Sequence, residues 1–220
     1  GGFAEYVATN AKNLTLKPAN LSFEEAAAIP IGAVTALQGL RDKHPLRAGQ
    51  HVLINGASGG IGTFAVQIAK AFGAQVTGVC SARNTALVKS LGADHVIDYA
   101  QTDFTKTGQT YDLILDNVAN KSISAYRRAL TPDGMCVVAG FSGLMSVLKI
   151  ALFGKRGGQP VISMFASMTP DDLEYLAEMS RSGKLRPVVD RCYALDQTAD
   201  AIRYLETGRA RGKVVISIAG

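Results

Sequence analysis

His51-Val52-Leu53-Ile54-Asn55-Gly56-Ala57-Ser58-Gly59-Gly60-Ile61-Gly62 carries a short apolar run straight into four glycines within seven residues. Val52-Leu53-Ile54 reads as a buried strand that the first glycine stops. Beyond the glycines, Ile61, Phe64, Ala65, Ile68, Ala69 and Phe72 recur at helical spacing, and Gly73 closes that stretch. The spacing Gly56-x-x-Gly59-x-x-Gly62 therefore sits between a strand and a helix. In that context one glycine makes the tight turn, one admits a phosphate to the backbone, and one lets helix and strand pack closely. The helix N-terminus adds free N–H groups and the positive end of its dipole. This is the turn of a dinucleotide-binding site.

Outward from the turn, short apolar runs alternate with helical stretches. Strands are expected at 51–55, 75–80, 95–98, 113–116, 135–139 and 160–163, with helices at 61–72, 86–91 and 122–130 between them. Alternation of this kind builds βαβ units. The fold class is α/β, a Rossmann doubly wound parallel sheet of about six strands. Ahead of it, Ser22 and Glu25 form a capping box for a short helix that Pro30 interrupts, and a second helix spans about 32–41. Behind it, Thr169 caps a helix through Ser180. A strand at 188–193, a helix at 196–205 and a last strand at 213–218 follow.

Composition narrows the function classes. The chain has 220 residues, 47% of them hydrophobic and 19% charged, which excludes global disorder. Its net charge of +5 is scattered apart from short groups such as Lys155-Arg156, so a polyanionic cofactor accounts for it and a nucleic-acid partner is not expected. Residues 135–153 are apolar over nearly a bilayer's width. Gly140, Ser142, Gly143, Ser146 and Lys149 interrupt them, so a core strand followed by an apolar helix is expected, with no membrane span. Cys80, Cys136 and Cys192 form no ligand pair, and no signal peptide is visible; a cytoplasmic location is the expectation.

The second strand decides which dinucleotide binds. An acidic residue at its end would accept from a ribose 2′-hydroxyl, but here Cys80-Ser81-Ala82-Arg83-Asn84 follows. Ser81 and Arg83 can donate to a 2′-phosphate instead, which points to NADPH. The turn also fits the spacing of short-chain dehydrogenases, which need Tyr-x-x-x-Lys. None of the seven tyrosines is followed by lysine four positions on.

The strand and glycine turn, Ala65-Val66-Gln67-Ile68-Ala69-Lys70, Ser81-Ala82-Arg83-Asn84 and Leu91-Gly92-Ala93-Asp94-His95-Val96-Ile97-Asp98-Tyr99 together resemble the zinc-independent quinone oxidoreductases of the medium-chain dehydrogenase/reductase superfamily. Ala26 to Leu40 resembles that family's joining segment, and Arg211 to Ile216 its closing strand. The resemblance implies a GroES-like catalytic domain of which only parts are present, at 1–29 and 166–220, around a Rossmann domain at 30–165. About a hundred residues at the front are expected to be missing on this reading.

The same resemblance implies roles for individual residues. Ser58, Gly59, Gly60, Ile61 and Gly62 would hold the pyrophosphate, and Ser81 and Arg83 the 2′-phosphate. Tyr99 would lie along the adenosine, with a plain packing role as the alternative. Asn117 and Phe141-Ser142 would approach the nicotinamide. Thr35 would face the nicotinamide, or else simply bond its own helix backbone. Ile31 stands where zinc-dependent relatives carry a cysteine ligand, so no metal is expected. The implied chemistry is hydride transfer from NADPH to a quinone or an α,β-unsaturated carbonyl, in a homodimer paired through 161–165. The other readings left open are a non-catalytic NADPH-binding module and a zinc-dependent alcohol dehydrogenase. No proton donor is identifiable.

Overall fold

The computed structural model describes residues 2–140 and 143–218. Six strands, β1 (His51–Asn55), β2 (Gln75–Cys80), β3 (His95–Asp98), β4 (Tyr111–Asp116), β5 (Leu130–Val138) and β6 (Val161–Ser163), form one sheet in the order β3-β2-β1-β4-β5-β6. Every neighbouring pair is parallel. The order reverses between β1 and β4, and the carboxyl ends at such a switch point are where open α/β sheets bind ligands.

Parallel strands are buried on both faces, which is why their sequences run apolar without a gap. Val52 and Ile54 of β1 join Val76, Leu113, Leu115 and Val137 on one face. Leu53 joins Val79, Ile114, Cys136 and Val138 on the other. The first face is covered by α2 (Pro30–Arg41), α3 (Gly62–Ala71) and α7 (Pro170–Arg181). The second holds α5 (Ile123–Arg128) and α6 (Leu144–Phe153) through buried Tyr126 and Ile150. Each such buried aliphatic contributes about 1.5–3 kcal/mol.

The return segment adds α7, α8 (Thr198–Glu206) and a parallel pair, β7 (Val189–Ala194) with β8 (Lys213–Ser217). A polar cluster pins it to the sheet domain. Asp172, 4% exposed, accepts from Gln38 Nε2 at 2.7 Å and from the Arg41 guanidinium at 2.7 Å. Gln38 also donates to the Ser167 carbonyl at 2.6 Å. Both oxygens of the buried carboxylate are thus paired, as burial demands.

Several boundaries differ from expectation. Pro30 opens α2 instead of only interrupting the chain before it, because proline is suited to the first helical turn, where its missing N–H has no helical partner. The first helix, α1 (Phe23–Ala28), does start on the Ser22/Glu25 capping box. β5 begins at Leu130 because Leu130 pairs with Tyr111, but the register then shifts and the continuous ladder resumes at Met135. The early bridge is separated by a bulge around Pro132, so the apolar pattern saw only the later part. The apolar stretch at 135–153 divides into β5 and α6, and among the described residues no helix is long and apolar enough to cross a membrane.

Candidate functional site

At the carboxyl ends of β1, β2 and β4 lies a cleft of about 630 Å³. Its floor is the glycine turn. Gly56 adopts φ 76°, and its N–H and that of Ala57 both donate to the Val79 carbonyl, at 3.1 and 3.0 Å. Gly59 N–H donates back to the Gly56 carbonyl at 3.0 Å. The N–H groups of Ser58, Gly60 and Ile61 have no backbone acceptor among the described residues. Nor does any side chain cap α3, whose N-cap is Ile61. The turn uses some amides to hold its own shape and leaves others facing the cleft, the arrangement that receives an anion.

Gly62 and Gly32 make the turn possible. A Cβ on Gly62 would lie 2.1 Å from the Gly56 oxygen, and one on Gly32 would lie 2.3 Å from the Gly60 oxygen. Helix α2 therefore touches the turn from behind, and Gly32 and Ile31 reach the cleft wall.

A buried network shapes the far wall. Asp116, fully buried at the end of β4, accepts from Asn55 Nδ2 at 3.0 Å and from the N–H groups of Val118 and Ala119, each at 2.7 Å. That grip holds Ala119 at φ 58° and turns the chain along the cleft. Asn117 Nδ2 donates to the Asn55 carbonyl at 3.1 Å, while its buried Oδ1 has no partner among the described residues. At the outer end Lys121 pairs with Asp103 at 3.0 Å. Burial alone would raise the Asp103 pKa, but Lys121 and the Thr105 N–H and hydroxyl outweigh it and hold the group down at about 2.

The return segment closes the cleft from above. Gly212 N–H donates to the Ser58 carbonyl at 2.9 Å, and the Arg83 guanidinium donates to the Arg209 carbonyl at 3.2 Å. Lys213 lies along the glycine turn, its Cδ 3.1 Å from where a Gly60 Cβ would be. Burial pushes its ammonium pKa down, and among the described residues that ammonium has no hydrogen-bond or ion-pair partner. A covered cation beside uncapped amides is a donor set for a pyrophosphate. Asn117 and Asn84 also line the cleft, each with a buried Oδ1 that has no partner among the described residues. Together the residues fit a dinucleotide.

Of the residues singled out from sequence, Ser58, Gly59, Gly60, Ile61, Ser81, Arg83, Tyr99 and Asn117 all line this cleft. Gly62 lies beneath it as a packing position. Tyr99 is 64% exposed, at the mouth. Thr35 is 7% exposed and its hydroxyl donates to the Ile31 carbonyl at 2.7 Å, the helix-bonding alternative; it is not part of the cleft lining. Phe141 and Ser142 lie outside the described residues. Lys213, Gly32, Asn84, Asp116 and the Asp103–Lys121 pair were not singled out. Lys213 carried no local signal, since only folding brings β8 to the turn. No group of three or more His, Cys, Asp and Glu able to hold a metal ion occurs among the described residues.

Comparison with known proteins points the same way as the geometry. A family model described as zinc-binding dehydrogenase matches residues 91–216. The chain is 36% identical over 231 residues to 2-methylene-furan-3-one reductase from Solanum lycopersicum, covering 98% of this chain and 52% of that relative. It is 34% identical over 246 residues to "NAD(P)H oxidoreductase RTN4IP1, mitochondrial" from Mus musculus, covering 99% of this chain and 61% of that one. The chain thus spans between half and two thirds of these relatives. It superposes on the quinone oxidoreductase from Coxiella burnetii with a TM-score of 0.85 at 30% identity, over 93% of this chain and 64% of that structure.

Proposed function

The chain belongs to the zinc-binding dehydrogenase family, in the quinone oxidoreductase branch of the medium-chain dehydrogenases/reductases, and from that premise we propose an NADPH-dependent reductase of quinones or α,β-unsaturated carbonyls. The observation that carries the cofactor choice is Arg83 at the cleft together with the absence of a carboxylate from 81–84, directly after β2. An NAD site would place an acceptor there; this one offers a guanidinium.

Bound in the cleft, the dinucleotide supplies the hydride. The chain's own residues bind and orient. The amides of Ser58, Gly60 and Ile61 and the Lys213 ammonium take the pyrophosphate. Ser81 and Arg83 take the 2′-phosphate, and Asn117 Oδ1 accepts a donor at the nicotinamide end. Asp116 holds Asn117 in place without touching the ligand. Uniform orientation of this kind converts a collision into a unimolecular step.

Steady-state oxidation of NADPH by the whole protein, offered a small quinone and a small enone, tests the reading. Turnover of at least one acceptor is expected. Tight NADPH binding with no turnover of either would contradict the reductase and favour the non-catalytic module.

A further inference from the structure

α4 (Thr85–Ser90) shows the ordinary arrangement of a surface helix, with Val88 buried and Lys89 and Ser90 exposed. α6 inverts it. Ile150 packs into the core, while Met145, Leu148, Leu152 and Phe153 are between 48% and 64% exposed. Spaced i, i+3, i+7 and i+8, these four form one stripe along the outer side of the helix. Lys149, also exposed, lies within the stripe. Just past the helix, Arg127 donates to the carbonyls of Phe153, Gly154 and Arg156 at 3.3, 3.1 and 2.6 Å. The Val161 N–H donates to the Gly154 carbonyl at 2.9 Å. These bonds draw the loop's oxygens inward and fix a bend on which Lys155 and Arg156 are both exposed.

Charge decides what fits this face. Between Asp133 and Asp171 the chain has no carboxylate side chain, and Lys149, Lys155 and Arg156 all fall in that stretch. None of the three has an ion pair among the described residues. We infer that α6 and the loop after it form a peripheral contact with an anionic lipid surface. The stripe enters the boundary between headgroups and acyl chains, and the three cations meet lipid phosphates. At 10 residues α6 is too short to span a bilayer, so the contact is interfacial. A second copy of the chain fits worse, because a two-fold contact sets a patch against itself and would bring these cations onto their own kind. The inference is independent of the cofactor and substrate readings above.

The chain has no tryptophan, so Leu152→Trp sets a single fluorescent reporter in the stripe. Its emission should lie to the red in buffer and shift to the blue with vesicles of equal parts phosphatidylcholine and phosphatidylglycerol. Vesicles of phosphatidylcholine alone should shift it far less, and added salt should reverse the shift. In flotation with the anionic vesicles, Lys155→Gln and Arg156→Gln should each weaken binding about fivefold. Leu148→Glu should weaken it more than about tenfold, with melting temperature and NADPH affinity unchanged, because that side chain is already at the surface. No shift with either vesicle, equal shifts with both, or flotation that Leu148→Glu leaves intact overturns the assignment. Emission already blue in buffer that moves to the red on dilution would put a second copy on the stripe, and overturns it as well.

Discussion

Gly62→Ala, one added methyl, is expected to weaken NADPH binding more than 100-fold and to lower the stability of the chain by about 1–3 kcal/mol, the usual range for overpacking a filled site. The reason lies in what the methyl meets. It would fall 2.1 Å from the Gly56 oxygen, 2.7 Å from Ala57 Cα and 2.8 Å from the Ala57 carbonyl carbon. All three are backbone atoms, and Ala57 is itself fully buried. No rotamer change relieves the clash. Either α3 moves off β1 or the turn opens, and both aim the free amides away from the phosphates. Gly59→Ala is the control: its Cβ would sit 3.4 Å from the Gly56 oxygen, an ordinary contact, and φ there is not positive. That variant should keep the native melting temperature, and any loss of binding it shows reports ligand approach alone. Thermal denaturation and calorimetry on the pair separate packing from contact. A Gly62→Ala chain that binds NADPH normally would mean that the turn is not where the pyrophosphate sits.

Lys213→Met is expected to cost about 1.5–3 kcal/mol of NADPH binding, or roughly 10- to 100-fold, the range for a hydrogen bond to a charged group. It should cost the apo chain nothing. Among the described residues the ammonium has no partner to lose, and burial already works against its charge. The sign follows from linkage. A lysine whose folded pKa is lowered weakens the fold while it is charged, so removing the charge is neutral or stabilising below that pKa. Methionine keeps the stem that packs over Gly60. A merely structural lysine would give the reverse pattern: a lower melting temperature with binding unchanged.

The fold was readable where local chemistry and the global fold agree. The Val52–Gly62 segment carries its strand, turn and helix signals side by side, and Ser22 with Glu25 marks a helix start that the structure reproduces. Arg83 and Asn117 could be placed at the cleft because each lies just past a strand that ends there. What escaped depended on chain-distant packing. Nothing near Lys213 announces that β8 returns over Gly60, and Gly32 looks like an ordinary helix residue until α2 meets the turn. Asn84 was quoted only as part of the Ser81–Asn84 stretch, with no role of its own. Its place in the cleft wall is a property of the folded surroundings. Thr35 had two readings, and the hydroxyl's bond to the Ile31 carbonyl is the one that its place inside a helix made readable.

On the proposed reading Ser81 and Arg83, just after β2, select a 2′-phosphate. That selection is tested most directly by measuring the affinity of this chain for NADPH and NADH side by side, in native form and with Arg83→Asp. The native chain should bind NADPH at least about tenfold more tightly, and Arg83→Asp should erase that preference by weakening NADPH alone, a loss of about 1.5–3 kcal/mol. Equal affinity for the two cofactors in the native chain, or an NADPH preference that survives Arg83→Asp, would contradict the account.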